Sequence, residues 1–310
     1  MLPFEIIEIG AIKLDENLEI IDEFFNIISP CVYKKLHYKV WEIVQIGIEE
    51  LKKKGDPFKV AADKFFEWAY MDGQEPVFCS WGSMDLMELQ RNMAYFKVKS
   101  PFPYPLLYYD LQKIYNMYIE TEDRNKAPLD RAVSVLGIPH ERAFHRAIDD
   151  AWYAAMAMKS MHMEKYEKYL SLDYYRIPQN KEEEIELVFP SYAKFVSKGY
   201  ATKDEVMEQA NIRSLHCFRC KRKLRKKIRW FTSNQKSYYA LGHCPEHGFV
   251  RGKINIKSFE KGCVYAIKTT KMIDDEKAAL LRLKKEETEK KRRIKNRLKK
   301  LRKESGDFYE

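Results

Sequence analysis

Apolar side chains recur in two different rhythms along this 310-residue chain. Residues 5–14 (EIIEIGAIKL) and 18–28 (LEIIDEFFNII) are rich in Ile and Phe with stretches that alternate every second position, which predicts two strands. Asp15, Glu16 and Asn17 between them suit a hairpin turn. Residues 40–53 and 57–69 read as helices, and residues 76–81 (PVFCSW) as a short buried strand. Residues 83–95 follow as a helix, with Ser83 placed to cap it. Further helices are predicted over 108–119, 127–136 and 147–163, with Gly137 where a C-cap glycine belongs and Pro139 after it. Strands mixed with covering helices make this an α/β region.

The remaining chain changes character twice. Residues 164–212 are more polar, carry the acidic run 182–184, and read as helical near 191–197 and 203–209. Residues 213–273 are basic and hold cysteines and histidines; residues 274–304 lack Gly and Pro and read as one long charged helix. The expected organisation is an α/β domain over 1–165, a helical linker over 166–212, a small β domain over 213–273 and a basic helical tail over 274–310. No internal repeat is visible.

Composition sharpens this division. The chain is 45% hydrophobic and 33% charged, which excludes a disordered polymer. Its net charge of +10 is uneven: residues 1–210 hold 26 basic and 35 acidic side chains, and residues 211–310 hold 30 and 11. An acidic front and a basic back point to chemistry in one part and polyanion attraction in the other. No apolar stretch approaches the ~18 residues of a membrane helix, so no membrane partner is expected. The first residues carry glutamates and lack a basic leader, and six cysteines in this length do not suggest a disulfide framework, so a reducing cytoplasmic setting is expected.

Two acidic positions stand out. Asp85 follows the 76–81 strand, where a carboxylate can reach a metal or substrate; the same position also suits an acidic residue in a helix first turn. In HRAIDDA, His145 and Asp150 are five residues apart. On a continuous helix at ~100° per residue they would point ~140° apart. They converge only if His145 sits on the loop before the helix; a His–Asp pair on one helix face would use Asp149 instead.

Taken together, EIIEIGAIKL, SWGSMDLMEL, PLDRAVSVLGIP and HRAIDDA resemble the DnaQ-like (DEDDh) 3′–5′ exonucleases, nearest to the ribonuclease T-like and sporulation-inhibitor-like branch, over residues 3–162. The resemblance implies a ribonuclease H-like exonuclease domain. It assigns Asp85 to the family's second motif and His145 and Asp150 to its third. It also implies a Mg²⁺ or Mn²⁺ two-metal site supported by Asp85 and Asp150, with His145 as general base. Such chemistry needs these residue types: hard divalent cations take oxygen ligands, and a histidine titrating near neutrality can accept a proton from attacking water.

The family's first motif, Asp-x-Glu on the first strand, has no counterpart here. Glu5 and Glu8 are three apart on a strand and so face opposite sides; Glu8 matches a glutamate of the family's second strand with a structural role. The expectation is a chain that starts upstream of Met1 and supplies this strand. The alternative is a non-catalytic nucleic-acid-binding protein on a degenerate exonuclease scaffold.

Cys217 and Cys220 form a CxxC, and after 23 intervening residues Cys244 and His247 form a CxxH. Two such knuckles can give Zn²⁺ four tetrahedral ligands, a filled structural site. Residues 213–257 resemble a zinc ribbon. His216 and His243 are rival ligands, Cys263 reads as a buried thiol, and four side chains scattered in a small core is the competing arrangement. Lys221, Arg222, Lys223, Arg225, Lys226, Lys227 and Arg229 crowd nine positions near Trp230, Tyr238 and Tyr239. Basic groups beside aromatics suit RNA or single-stranded DNA, held with strong salt dependence and extended by KKRRIKNRLKKLRK at 290–303. A solvated basic strand, or a ribbon that docks another protein, are the other readings. The resemblance also allows a homodimer.

Overall fold

The alternating Ile- and Phe-rich runs pair as an antiparallel hairpin of β1 (Glu8–Leu14) and β2 (Ile20–Ile27), with Glu8 opposite Ile27 and Gly10 opposite Phe25. This computed structural model describes residues 2–119, 127–234, 236–259 and 262–304, in two units, Met1–Arg176 and Ile177–Glu310. In the first unit α1 (Tyr38–Val44), α2 (Ile48–Lys54) and α3 (Phe58–Ala69) follow the hairpin. The single helix expected over 40–53 is broken: Gln45 takes a φ of +53° and Gly47 precedes α2, so the i→i+4 ladder stops between them. Ile9 and Ile28 of the hairpin region pack against Phe58, Ala61, Ala62 and Phe65 of α3.

A second sheet orders β3 (Cys79–Ser80), β4 (Leu107–Asp110) and β5 (Ser171–Leu172), with β3 and β4 parallel and β5 antiparallel to β4. Among the described residues the hairpin and this sheet share no ladder. Helix α4 (Met84–Tyr95) leaves β3; Ser83 precedes it, but its hydroxyl makes no capping bond. The helix expected over 108–119 starts later, as α5 (Leu111–Tyr118). Residues 108–110 extend β4, and Asp110 accepts the Lys113 N–H as an N-cap. Helices α6 (Leu129–Val135) and α7 (Ala147–Ser160) complete the unit. Gly137, at φ +68°, lets Ile138 N–H return to the Val133 carbonyl, the close of a Schellman turn.

The second unit is built on a six-stranded sheet in the order β6 (Ile185–Val188), β7 (Tyr192–Val196), β11 (Val264–Ile273), β10 (Gly248–Ser258), β9 (Ser237–Cys244), β8 (Lys226–Thr232). Every neighbouring pair is antiparallel. Residues 191–197 are therefore strand, not helix. Tyr192–Val196 pairs with β6 on one side and β11 on the other, which satisfies its backbone where one or two helical turns would not. The expected linker over 166–212 thus supplies two strands of this sheet, together with α8 (Lys203–Glu208) and α9 (Ala210–Arg213).

Along β10, Val250, Gly252, Ile254 and Ile256 are buried while their neighbours are not, the signature of one covered face. Val206 of α8 and Ile212 of α9 pack on that side against Ile254 and Ala266. On the opposite side Ala278 and Leu281 of α10 (Asp275–Glu304) pack against Ile228 and Leu241. Asp274 caps this 30-residue helix by accepting the Lys277 N–H. Among the described residues of α10 none after Leu281 is buried.

Candidate active site and metal centre

The start of α7 rests directly on β1. A Cβ at Gly10 would stand 2.3 Å from the Ala147 carbonyl carbon and the Ile148 nitrogen, so only glycine admits this approach. Beside it the Glu8 carboxylate accepts from Arg146 Nε at 2.9 Å and from the Ala147 N–H at 3.2 Å. An acidic group at a helix N-terminus gains from the helix dipole as well as from the ion pair. Arg146 also lies over the Phe25 ring, 5.4 Å from its centroid.

This clamp holds the residue before Arg146 in an unusual shape. His145 has φ +78° and its N–H donates to Asp150 Oδ1 at 3.1 Å. His145 therefore precedes α7, whose first turns carry Asp149 and Asp150. Asp149 instead faces Arg142, 3.9 Å away. Upstream, the fully buried Tyr153 holds the loop by its hydroxyl, which accepts the Arg142 N–H at 2.9 Å and donates to the Arg142 carbonyl at 2.6 Å. The Phe144 ring stacks on Tyr153 with centroids 4.3 Å apart.

Asp85 lies in the first turn of α4, reached through a bend at Gly82, φ +104°. Ser80 Oγ donates to the Gly82 carbonyl at 2.7 Å and fixes that bend. Asp85 retains solvent contact, yet crowding by protein raises its pKa above the usual carboxylate range, and the charge of Asp150 raises it further. Desolvation also raises Asp150, opposed by the His145 N–H and by the imidazole charge. Asp85 thus senses the charge of Asp150, and Asp150 senses His145 and Asp149. Carboxylate oxygens are the donor type that hard divalent cations take.

In the second unit Cys217, Cys220, Cys244 and His247 bring their ligand atoms within 4.8 Å of one another. It is the one such group of three or more among the described residues. Cys220 Sγ lies 3.6 Å from Cys244 Sγ, and His247 Nδ1 lies 3.6 Å from both Cys217 and Cys244 Sγ. A tetrahedral ion at zinc–sulfur bonds of about 2.3 Å sets ligand–ligand edges of ~3.8 Å, so the donors suit Zn²⁺. Lys221 at φ +59° and Gly248 at φ +81° turn the chain after each knuckle. Burial pushes the Cys244 thiol up, but hydrogen bonds from the His247 ring and from the Glu246 and His247 N–H groups outweigh it, bringing it down to about 6. His216 and His243 stand outside the group: His216 pairs in a bridge with Lys223, and the His243 ring lies on Phe249. Cys263 is half-buried and also outside it.

A family described as exonuclease matches residues 3–158, half of the chain. The chain belongs to the exonuclease family. The first unit has the ribonuclease H-like α/β fold of these nucleases. Solved structures similar to this exonuclease include the nuclease domain of 3′hExo, a DEDDh family member, bound to rAMP. That match has 20% identity over 55% of this chain and 86% of that one, with a TM-score of 0.47. Another is cell-death related nuclease 4 (CRN-4), at 18% identity over 54% of this chain and 59% of that one, TM-score 0.46. A full-length 3′-exonuclease matches at 19% over 54% and 75%, TM-score 0.45. The chain thus spans less than two thirds of CRN-4. No curated protein matches.

The basic stretch of the exonuclease chain divides on inspection. Lys221 and Arg222 are engaged by Glu186 and Glu246. Lys223, Arg225, Lys227 and Arg229 are exposed and, among the described residues, in no ion pair, while Lys226 is half-buried. Trp230 turns inward, its indole N–H donating to the Arg213 carbonyl at 2.8 Å. Sequence reasoning missed the Glu8–Arg146 clamp and the Tyr153 hydroxyl, whose partners lie far off in sequence or on a backbone. It also missed Asp173, a buried acid bonded to Gln90 at 3.0 Å and to the Tyr175 N–H at 2.9 Å. A buried carboxylate demands such partners, but nothing in the spacing names them.

Proposed function

We propose that this exonuclease hydrolyses phosphodiester bonds from the 3′ ends of RNA or single-stranded DNA. The observation that carries the reading is the His145–Asp150–Asp85 arrangement. A backbone bond ties His145 to Asp150, and the Asp150 charge raises the pKa of Asp85. Asp85 and Asp150 would hold Mg²⁺ or Mn²⁺, which would supply charge stabilisation at the phosphate when bound. His145, exposed at the mouth of the loop, takes the proton of the attacking water as the new O–P bond forms. The 3′-terminal nucleotide leaves with the O–P bond to the preceding 3′ oxygen broken. Cys217, Cys220, Cys244 and His247 would hold a structural Zn²⁺ in a ribbon, and Lys223, Arg225, Lys227 and Arg229 attract the strand.

A second reading, a nucleic-acid-binding protein without catalysis, is favoured by how the nearby glutamates are used. Glu5 accepts the N–H groups of Cys31, Val32 and Tyr33, and Glu8 holds Arg146, so neither is available as a further metal ligand. The two readings separate on 5′-labelled single strands of RNA and DNA incubated with the protein and Mn²⁺. A ladder shortened from the 3′ end supports the exonuclease; intact strands that the protein retains in a gel shift support the binder.

A further inference from the structure

We propose that, in the second unit, the sheet face on which α10 starts holds the sugar–phosphate backbone of a nucleic-acid strand; this rests on the nuclease reading above. Among the described residues of the six strands, Glu186 is the one acidic side chain. It stands opposite Phe195, whose ring packs on the α8 and α9 side, so the other face receives no acid from any strand. That other face is marked by Leu241, which packs against Ala278 and Leu281 of α10. The ladder fixes what lies beside it. Leu241 is opposite Arg251, and Arg251 is opposite Lys271; the next row on the same face runs Tyr239, Lys253, Thr269, Lys194. Helix α10 adds Arg282, 5.3 Å from the Phe249 ring centroid, and Lys284, 4.1 Å from that of Tyr239. Lys271, Arg282 and Lys284 are exposed, and Lys194, Arg251 and Lys253 are half-buried. None of these cations belongs to the 221–229 stretch.

Arg251 and Lys271 are direct cross-strand neighbours. Side chains in such a pair stand ~5 Å apart, and like charges there repel, so the placement costs stability rather than adding to it. A polyanion reverses the sign: its phosphates screen the repulsion, and it releases counterions as the cations replace them. One sign of charge above a low-dielectric layer also concentrates the field toward solvent and draws a polyanion in. The Phe249 and Tyr239 rings already lie under Arg282 and Lys284, so the ligand meets cations here instead of open ring faces. The surface therefore takes phosphates and leaves the bases unread, which suits an enzyme that must hold strands of any sequence.

The test uses the full chain without added Mg²⁺ or Mn²⁺. Anisotropy reads the binding of a labelled thymidine strand, an abasic strand of equal length and a polyglutamate of matched charge over a series of salt concentrations. Wild type is expected to bind the thymidine and abasic strands within about threefold of one another and polyglutamate more weakly. Lys253→Gln with Lys271→Gln should weaken both strands ~10–30-fold and flatten the logarithmic salt slope by ~1–2. Lys253→Arg with Lys271→Arg should bind within about twofold of wild type. The glutamine variant should melt no lower than wild type, because a repulsion has been removed; a lower melting temperature ascribes the weakening to misfolding and overturns the assignment. So do three other results: no binding of the thymidine strand by wild type, loss of binding on the abasic strand, or unchanged affinity and slope in the glutamine variant. Polyglutamate bound as tightly as the strand also overturns it and assigns the face to an acidic protein. Wild type that shows the expected binding effects yet leaves strands intact with Mn²⁺ defeats the catalytic reading alone.

Discussion

Glu8 and Arg146, 138 positions apart, meet through Glu8 Oε1 and Arg146 Nε at 2.9 Å, and the same carboxylate holds the first N–H of α7. The Glu8 side chain is 5% exposed, so loss of its charge leaves the half-buried Arg146 guanidinium without its counter-charge. Glu8→Gln should lower stability by about 2 kcal/mol in urea denaturation. It should also slow strand shortening mainly through kcat, because it loosens the loop that holds His145. An unchanged midpoint and kcat would remove Glu8 from the positioning of that loop.

Tyr153 serves the same loop from the other side. Tyr153→Phe keeps the Phe144 stack but leaves the Arg142 N–H and carbonyl without their hydroxyl partner. A cost of about 1–3 kcal/mol is expected. Amide exchange should accelerate at residues 142–145 before it does in α3. Uniform acceleration across the first unit would show a global rather than a local effect.

Cys217 is buried within the Cys₃His group. Cys217→Ser should abolish stoichiometric zinc in metal analysis and lower the melting temperature of the second unit, since binding energy at such a site is folding energy. Chelation of the wild type should reproduce the change. Zinc content equal to the wild type in the variant would overturn the ligand assignment.

Lys268 supplies a pH dependence. Burial lowers its pKa to about 8, against the opposing pull of Glu186 and Glu184, while its ammonium caps the Asn211 carbonyl at 2.6 Å. The unfolded value is ~10.4. Between these two values the unfolded chain holds more protons than the folded one, so this group makes stability rise with pH over that window. Lys268→Met removes both the cap and the titration. The stability of wild type relative to the variant should rise from pH 8 to about 10.4. A constant gap would contradict the depressed value.

How far these features could be read beforehand depended on whether their cause was local. The Cys217–Cys220 and Cys244–His247 pairs announce their convergence because knuckle spacing is a short-range constraint. The hairpin was legible because its alternation and its turn lie within one stretch, and the Gly137 cap because a positive φ selects glycine. Helical angles alone require His145 to precede its helix if it is to meet Asp150, and the backbone bond between them has that form. Residues 191–197 misled because Tyr192–Val196 is strand by pairing on both sides, with β6 just before it and with β11 some 70–80 residues on. Gln45 broke a helix without any proline to mark the place. The Glu8 and Tyr153 contacts are tertiary, and a single chain pattern does not encode a partner at that distance.

On the reading proposed above, Asp150, held by the His145 N–H, takes part in hydrolysis rather than in binding or folding. Its most direct test measures strand shortening with Mn²⁺ and strand affinity on the same preparations of wild type and Asp150→Ala. Shortening should slow by at least ~100-fold with affinity within twofold. Shortening by the variant at the wild-type rate would contradict it.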